Sequence, residues 1–417
     1  MEKFVIEGGH KLKGKIKISG SKNATLPIMA ASLLCSDEII LHNVPHLRDV
    51  KTMSKILQKI GAKVQFDENT LIINPKDANL PEAPYELVSQ MRASFLVAGP
   101  LIARFGYAKV SRPGGCVIGA RPIDEHLHGL KALGADIKEE HGYLIFKTNS
   151  LKGAKIYMNE KSVTATENII MAAVKAKGKT EIINPAIEPH VQELIKFLNK
   201  MGAKIHFDTE KIEIEGVEKL NPVEFTITSD YIEAGTFMMA TAITQGDVFL
   251  DGAIYEHSIA EITKLQEMGV EIKKESAGIR VKCTKRVKPV NVKTAPFPGF
   301  PTDLQPQICA LLTCADGVSI VEEAMYENRF SHIPELQRMG AKIELAERKI
   351  IIEGVKRLSG AKVMASDIRA GAALTIAGLQ AEGETEVLRV YHIDRGYEKL
   401  DEKLKSLGAK IRREHYD

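Results

Sequence analysis

The feature that most constrains the fold of this chain is a phrase that recurs six times: a short amphipathic helix, a glycine and then a strand. The first copy is ILQKIGAKV at 56–64, and the last is LKSLGAKI at 404–411. In chain order, the six glycines are Gly61, Gly134, Gly202, Gly269, Gly340 and Gly408. They lie about 70 residues apart, so six copies of one unit fill the 417 residues. A glycine directly after the last apolar turn predicts a left-handed helix cap, because it has no Cβ.

The residues after each glycine predict a β-hairpin. In the first copy, the alternating residues 64–66 lead into the polar turn 67–70 and then into the apolar residues 71–73. Two short apolar strands joined by a polar turn are typical of a hairpin. Five copies carry this pattern, whereas the sixth has only its first strand before residue 417.

A second phrase has the same period and predicts a buried helix in every copy. It is a polar cluster followed by an apolar stretch that is hydrophobic nearly all round, as a core helix surrounded by sheet should be. The polar openings are residues 21–23, 91–94, 166–168, 229–230, 302–303 and 366–369. The predicted fold is therefore α/β, with six repeats of about 70 residues whose buried helices are surrounded by sheets.

Three of these openings carry a cation where a helix normally disfavours one. Lys22, Arg92 and Arg369 stand at predicted helix N-termini, where the macrodipole is already positive. An anion between the cation and the dipole would be attracted by both. The openings therefore indicate a local site for a small molecule that carries several negative charges.

Composition excludes several classes of protein. Lys and Arg total 57 against 54 for Asp and Glu, so no basic stripe of the kind that coats nucleic acid is expected. The apolar run 93–103 is broken by Gly99 and Pro100, and the first residues lack the pattern of a signal peptide. Five cysteines, an odd number spread over a long chain, favour free thiols in a reducing compartment. We expect a cytoplasmic protein with no nucleic-acid or membrane partner.

One loop carries a cysteine in a reactive setting. Residues 111–126 contain three glycines and two prolines, and Cys116 lies among them near Arg112 and Arg121. Neighbouring guanidinium groups lower a thiol pKa, which suits a group that exchanges a proton near neutrality. The four cysteines interpreted as structural are Cys35, Cys283, Cys309 and Cys314, of which Cys309 and Cys314 are predicted to lie in a buried helix. Because Walker A, dinucleotide and zinc patterns are missing, no metal and no cofactor is predicted.

Six short motifs resemble one enzyme family. They are GSKNA at 20–24, PGGCVIGARP at 113–122 followed by Asp124 and His126, FPTD at 300–303, ENRF at 327–330, DIRA at 367–370 and HIDRGY at 392–397. In this content and order they resemble the UDP-N-acetylglucosamine 1-carboxyvinyltransferases, the enolpyruvyl transferases that begin peptidoglycan synthesis. The likeness runs from residue 20 to residue 397 and so covers nearly the whole chain.

The resemblance implies a fold and a reaction. The fold is two similar inside-out α/β barrel domains of three repeats each, here 22–229 with the Cys116 loop, and 1–21 plus 230–417. The reaction transfers the enolpyruvyl group of phosphoenolpyruvate to the 3′-hydroxyl of UDP-N-acetylglucosamine by addition–elimination and releases phosphate. This would be the first committed step of peptidoglycan synthesis, and it would place the protein in cell wall biogenesis, cell shape and cell division.

The resemblance also implies roles for single residues. Cys116 would give a proton to phosphoenolpyruvate and could carry a covalent adduct of it, and Asp303 would act as base or orienter for the sugar hydroxyl. Lys22, Arg121 and Arg395 would hold the phosphate and carboxylate, with Asn23 beside them. The further substrate-binding residues would be Arg92, Pro122, Ile123, Asp124, Glu125, His126, Lys161, Ser162, Val163, Thr164, Met325, Arg329, Asp367 and Arg369. The family usually has Gly where Thr164 stands.

Two other functions fit part of the sequence. The sister family that transfers enolpyruvate to shikimate 3-phosphate shares the fold, but it lacks the phrase that carries Cys116. A non-catalytic, anion-binding repeat protein would explain the repeats. It would leave Cys116, Asp303 and the cations at the helix openings without a purpose.

Overall fold

The structure, a computed structural model, describes residues 1–113, 118–119 and 122–416. Two predicted site residues, Cys116 and Arg121, therefore lie outside the described residues. The chain divides into two compact units. Unit 1 contains the described parts of 1–19, 116–120 and 229–417, and unit 2 contains those of 20–115 and 121–228. The domains that the family resemblance implies, 22–229 and 1–21 plus 230–417, stay a prediction.

The described residues form thirteen α-helices and five short 3₁₀ turns. The helices are α1 (Lys22–Ala31), α2 (Arg48–Ile60), α3 (Tyr85–Val88), α4 (Ala98–Phe105), α5 (Asp124–Ala132), α6 (Val163–Ala173), α7 (Pro189–Lys200), α8 (Tyr231–Ile243), α9 (Ile259–Glu267), α10 (Gln305–Leu312), α11 (His332–Arg338), α12 (Ile368–Gly378) and α13 (Leu400–Ser406). The 3₁₀ turns are Ser32–Leu34, Arg92–Val97, Tyr255–His257, Thr302–Leu304 and Val390–Arg395. None of the helices among the described residues is both long enough and apolar enough to cross a membrane.

Twenty-four strands complete the secondary structure of the described chain. They are β1 (Glu2–Glu7), β2 (Lys13–Lys17), β3 (Ile39–His42), β4 (Lys63–Asp67), β5 (Thr70–Asn74), β6 (Glu82–Ala83), β7 (Tyr107–Ser111), β8 (Asp136–Glu140), β9 (Tyr143–Lys147), β10 (Lys155–Tyr157), β11 (Lys179–Ile183), β12 (Lys204–Phe207), β13 (Lys211–Glu215), β14 (Glu224–Thr226), β15 (Asp247–Asp251), β16 (Glu271–Glu275), β17 (Gly278–Lys282), β18 (Val292–Lys293), β19 (Val318–Glu322), β20 (Lys342–Ala346), β21 (Lys349–Glu353), β22 (Lys362–Met364), β23 (Glu384–Leu388) and β24 (Lys410–His415).

The strands form six separate sheets of four strands, three in each unit, and among the described residues none of the sheets closes on itself. One sheet has the order β10-β11-β13-β12, in which β10 and β11 are parallel and β12 and β13 form the predicted hairpin. Along the chain, the first five repeats each contain a strand, a buried helix, a strand, a surface helix and a hairpin, whereas the sixth ends in the single strand β24. The α/β fold of six repeats is confirmed.

Strands from distant parts of the chain complete three of the sheets. The sixth repeat has only one hairpin strand, β24, and β1 occupies the place of the other, between β23 and β24. Likewise, β2 lies parallel to β15 in the fourth repeat, and β14 lies parallel to β3 in the first. Each unit therefore joins its end to its beginning through a sheet.

The predicted glycine caps are confirmed. All six repeat glycines have a positive φ, from +87° at Gly340 to +107° at Gly61. At Gly61, which ends α2, the backbone N–H donates to the carbonyl groups of Gln58 and Leu57. A side chain in this conformation would be strained, so the glycine ends each surface helix at the start of its hairpin.

Each unit has its own apolar core around three buried helices. These are α1, α4 and α6 in unit 2, and α8, α10 and α12 in unit 1. All 13 residues of α8 are buried, as expected of a helix that is apolar nearly all round.

Two details of the predicted helices are wrong. The opening predicted at 166–168 lies inside α6, which begins at Val163, because Ser162 stands at its N-cap position. Asn168 is instead buried in the core, where its side chain accepts a hydrogen bond from the Gly99 backbone. Cys314 follows α10 rather than lying within it, although it is buried as expected.

Glu261 is an acidic side chain that is buried although it belongs to a surface helix, α9. Glu261, in the first turn of α9, is 1% exposed. Burial raises the pKa of its carboxyl to about 7, although its own backbone and the Ser258 side chain lower it slightly. Between the ordinary value of 4.5 and about 7, the unfolded chain releases this proton while the folded chain retains it. Rising pH therefore destabilises the fold across this window, by about 3 kcal/mol at most.

We predict that Glu261→Gln stabilises the protein only at higher pH, because glutamine keeps the volume of the side chain and removes its ionisation. The variant should match the wild type near pH 4 and gain about 1–3 kcal/mol at pH 8. Thermal unfolding followed by circular dichroism at the two pH values measures the difference. The exposed Glu267 of the same helix, changed to Gln, is the matched control and should show no gain at pH 8. An equal gain at both pH values would contradict the titration of Glu261.

Candidate active site

In unit 1, the carboxylate of Asp303 is held between two guanidinium groups. Asp303 lies in the 3₁₀ turn that precedes α10. Arg329 donates from Nη2 to Oδ1 at 2.8 Å, and Arg369 donates to Oδ2 from Nε at 3.1 Å and Nη2 at 2.8 Å. Both arginines are almost fully buried, at 5% and 3% exposed. The two buried arginines therefore fix the orientation of the half-buried Asp303 carboxylate and balance its charge.

Arg369 is itself held on three sides. Asp367, the N-cap of α12, accepts a hydrogen bond from the Arg369 backbone at 2.8 Å. The guanidinium lies over the ring of Tyr397, 5.4 Å from its centre, and the Tyr397 hydroxyl is 2.8 Å from Thr236 Oγ1. Burial lowers the pKa of Arg369, but Asp303 and the Tyr397 hydroxyl raise it more, so the net shift is upward. Arg369 therefore remains a cation throughout the working pH range.

His332 does not add a charge to this cluster. It is 1% exposed, and burial lowers its pKa to about 4, with Asp367 raising the pKa and Arg329 lowering it by smaller amounts. Asp367 also accepts a hydrogen bond from Ser331 Oγ at 3.0 Å. Near neutral pH, His332 is therefore uncharged.

The described end of the Cys116 loop contacts the segment that carries Arg329. The Asn328 backbone donates to the Ile118 carbonyl at 3.1 Å. Gly119 has a φ of +140°, and a Cβ there would lie 2.7 Å from the Glu327 carboxylate. Only glycine fits this close approach without strain.

Two other predicted residues of unit 1 lie in neighbouring segments: Met325 is half-buried after β19, and Arg395 ends the turn Val390–Arg395.

In unit 2, Lys22 and Asn23 begin α1, as predicted. Ser21 caps the helix and accepts a hydrogen bond from the Ala24 backbone at 3.2 Å. Lys22 Nζ lies 3.5 Å from Asp49 Oδ2, and both side chains are largely buried. The cation at this helix opening therefore faces an acid of the chain itself, as Arg369 does. An external anion at these openings stays a prediction.

A hydrogen-bonded chain of buried groups in unit 2 orients His126. Asn168 Oδ1 accepts from the Gly99 N–H at 2.6 Å, so its amide nitrogen faces the Phe95 carbonyl at 3.0 Å and His126 Nδ1 at 3.1 Å. Because an amide nitrogen only donates, Nδ1 accepts, and the ring proton is on Nε2. Nε2 lies 3.1 Å from Thr164 Oγ1, so His126 donates to the Thr164 hydroxyl.

The other predicted nucleotide-sugar residues lie around the starts of α5 and α6. Arg92 Nη2 is 3.4 Å from the Pro122 carbonyl, and Ile123 precedes α5, which begins with Asp124, Glu125 and His126. Glu125 accepts from the Asn159 side chain at 3.1 Å. Lys161, Ser162, Val163 and Thr164 are half-buried at the opening of α6.

The predicted residues that the structure describes, all except Cys116 and Arg121, thus fall into one cluster in unit 1 and two in unit 2. Sequence reasoning missed residues that support these clusters, such as the buried Tyr397 and Asn168 and the half-buried Thr302. Thr302 and Tyr397 stand inside quoted motifs, so their proximity was a usable signal. Among the described side chains, no group of three or more His, Cys, Asp or Glu residues is placed to hold a metal ion.

Three comparisons relate this chain to known proteins. The family model described as EPSP synthase (3-phosphoshikimate 1-carboxyvinyltransferase) matches residues 6–404. The chain is 54% identical over 412 residues to UDP-N-acetylglucosamine 1-carboxyvinyltransferase 1 of Caldanaerobacter subterraneus, covering 99% of both chains. It is 52% identical over 416 residues to UDP-N-acetylglucosamine 1-carboxyvinyltransferase 2 of Carboxydothermus hydrogenoformans, again covering 99% of both.

Solved structures agree with this relationship. The crystal structure of the enolpyruvyl transferase NikO from Streptomyces tendae has a TM-score of 0.89 and 25% identity, with 99% of this chain and 98% of that one covered. EPSP synthase from Acinetobacter baumannii has a TM-score of 0.78 at 20% identity over the full length of both chains, which shows a shared fold. On a full-length identity above 50%, the chain belongs to the UDP-N-acetylglucosamine 1-carboxyvinyltransferase family of enolpyruvyl transferases.

Proposed function

We propose that this protein transfers the enolpyruvyl group of phosphoenolpyruvate to the 3′-hydroxyl of UDP-N-acetylglucosamine and releases phosphate. The observation that carries the proposal is the full-length identity of 54% to a relative that bears this name. The geometry of unit 1 supports it, because a carboxylate fixed by two buried guanidiniums suits a reaction that moves protons beside anions.

The proposed reaction has two steps. In the addition, the oxygen of the sugar hydroxyl bonds to C2 of phosphoenolpyruvate, while Asp303 orients this hydroxyl or accepts its proton. Cys116 gives a proton to C3. In the elimination, the bond from C2 to the phosphate oxygen breaks and the phosphate leaves with the electron pair, while C3 gives a proton to the thiolate that the addition left on Cys116, which restores the double bond. Cations stabilise the tetrahedral intermediate, whose phosphate and carboxylate are both anionic.

Three cations are proposed to hold the anionic groups of phosphoenolpyruvate. Lys22 begins α1, where the helix dipole and the ammonium group both attract an anion, and Asn23 adds a side-chain amide beside it. Arg121 and Arg395 are proposed for the same phosphate and carboxylate. Asp367 and Arg369, next to Asp303, are proposed to contact the intermediate.

The nucleotide sugar is proposed to bind the clusters of unit 2. These comprise Arg92, residues 122–126 and residues 161–164. Met325 is also proposed to line the sugar. The α6 opening offers backbone N–H groups to a diphosphate, and His126 orients the Thr164 hydroxyl there. Since both substrates are phosphorylated metabolites of the cytoplasm, we propose that the protein acts there. Its product would serve cell wall synthesis and so cell shape and division.

We predict that the purified protein releases phosphate from phosphoenolpyruvate only when UDP-N-acetylglucosamine is present. Asp303→Asn, which keeps the shape of the side chain but removes its basicity, should lower kcat by about 100-fold or more. A coupled phosphate assay with either nucleotide sugar or shikimate 3-phosphate measures both effects. Release with shikimate 3-phosphate alone would overturn the acceptor, and silence with both would favour an anion-binding repeat protein.

We predict that Cys116→Ala removes both turnover and the protection of one thiol by phosphoenolpyruvate. General acid catalysis contributes about 100-fold to 10,000-fold to the rate, so kcat should fall by at least about 100-fold. Alkylation followed by mass spectrometry, with and without phosphoenolpyruvate, measures the protected thiol. The buried Cys283, changed to Ala, is the control and should leave both readings unchanged. Wild-type behaviour of the Cys116 variant would show that the proton donor is another group.

We predict that Thr164→Val weakens binding of the nucleotide sugar and leaves the chemical step intact. Valine keeps the branched shape but removes the hydroxyl that His126 orients. The loss of one hydrogen bond to an anionic substrate corresponds to about a 10-fold rise in KM for UDP-N-acetylglucosamine, at unchanged kcat. Thr164→Ser, which keeps the hydroxyl, should behave as the wild type. Equal KM values in all three proteins would exclude Thr164 from the binding site.

A further inference from the structure

Unit 1 contains a buried carboxylate that none of the proposed roles uses. Glu323 follows β19 directly and is 0% exposed. Its Oε1 accepts hydrogen bonds from the backbone N–H groups of Met325 at 2.8 Å and Tyr326 at 3.0 Å, and from Thr294 Oγ1 at 3.0 Å. Its Oε2 accepts from Thr302 Oγ1 at 3.0 Å. Four donors thus compensate a charge that has been removed from water.

The hydrogen bond from Thr302 leads to Asp303. Arg329 Nη1 donates to Thr302 Oγ1 at 2.8 Å, and Nη2 of the same guanidinium donates to Asp303 Oδ1 at 2.8 Å. Because the Thr302 proton points to Glu323, the oxygen presents its lone pair to Arg329. By accepting the Thr302 proton, Glu323 makes Thr302 Oγ1 an acceptor for Nη1 of Arg329. Asp303 accepts from Nη2 of the same guanidinium.

Two other repeats have an asparagine at the position equivalent to Glu323, directly after the second strand of the repeat. Asn43 follows β3, and Asn184 follows β11, with φ of +56° and +58°. Their side-chain amides donate to the carbonyls of Ile227 and Met158, each at 2.9 Å. In both sheets, the accepting residue comes directly after the parallel neighbouring strand. The amide therefore ties two strand ends together.

Glu323 makes this link and adds another. Thr294, its partner at 3.0 Å, comes directly after β18, which lies parallel to β19. The carboxylate thus keeps the tie between the strand ends that asparagine makes elsewhere. Its second oxygen reaches Thr302, beside Asp303, where a carboxylate can only accept and so dictates which way the hydroxyl proton points.

We propose that Glu323 is a positioning residue for the transfer reaction, acting on Asp303 through Thr302 and Arg329. This inference rests on the proposed role of Asp303. Glu323 also holds the backbone of Met325, which is proposed to line the sugar. One buried side chain thereby links the group that handles the sugar hydroxyl to a segment that contacts the sugar.

The test is Glu323→Gln, in which Nε2 replaces the oxygen that accepts from Thr302. The glutamine still accepts at Oε1, but its amide and Arg329 then both donate to the Thr302 oxygen, whose own proton loses its acceptor. We expect kcat to fall about 10-fold or more, with both KM values changed less than about threefold, because the lost arrangement serves the chemical step. Steady-state kinetics and thermal unfolding measure the two effects.

Variants of Thr302 provide an independent reading if the glutamine variant folds poorly. Thr302→Val should reproduce the fall in kcat, whereas Thr302→Ser, which keeps the hydroxyl, should restore it. The double variant of Glu323→Gln and Thr302→Val should be no slower than the slower single variant, since both break one linkage. Multiplied losses in the double variant would overturn a shared route through Thr302.

Asn184→Asp is the matched control, because it also exchanges an amide and a carboxylate at the equivalent strand end. We expect a lower melting temperature from the lost bond to the Met158 carbonyl, and a kcat within about twofold of the wild type. The inference is refuted if Glu323→Gln keeps wild-type kcat or behaves as this control does. Failure of the proposed function is a different result, because the wild type itself would then show no turnover with UDP-N-acetylglucosamine.

Discussion

Two buried guanidinium groups that share the carboxylate of Asp303 determine how unit 1 is organised around its candidate site. Arg329 and Arg369 are buried, and burying a guanidinium is costly unless an acid such as Asp303 accepts from it. Satisfying Asp303 requires the start of α12, the segment before α11 and the turn before α10 to meet at one point. The adjacent Tyr397 ring and the Asp367 cap follow from the same need, because they support the guanidinium of Arg369.

Repetition supplies the scaffold, and small departures from it supply the chemistry. Every repeat packs a buried helix against a four-stranded sheet and ends its surface helix at a glycine. What differs is the residue at a few fixed places, such as the start of the buried helix and the first residue after the second strand. A carboxylate at Glu323, where Asn43 and Asn184 stand in other repeats, illustrates how one such change alters the contacts available to its neighbours.

Much of the fold could be predicted from periodicity, because glycine caps, hairpins and core helices each have a local chemical cause. The start of α6 could not, since buried Thr166 and Asn168 look like a polar opening until their partners in the core are known. The motifs named Asp303, Arg329 and Arg369, but not that they form one cluster. Glu323 left no signal, because beside Glu322 it is typical of an exposed strand end. Its importance depends on contacts with residues about 20 to 30 positions away.

The position of β1 between β23 and β24 has a consequence for how the chain is made. Residues 2–7 leave the ribosome long before their partners at 384–388 and 410–415 do. The whole of unit 2 is synthesised in that interval. An early strand with unpaired edges must therefore wait for nearly the entire chain, a period in which such edges are prone to wrong partners. Translation speed and chaperone access thus bear more heavily on unit 1 than on the unit inserted within it.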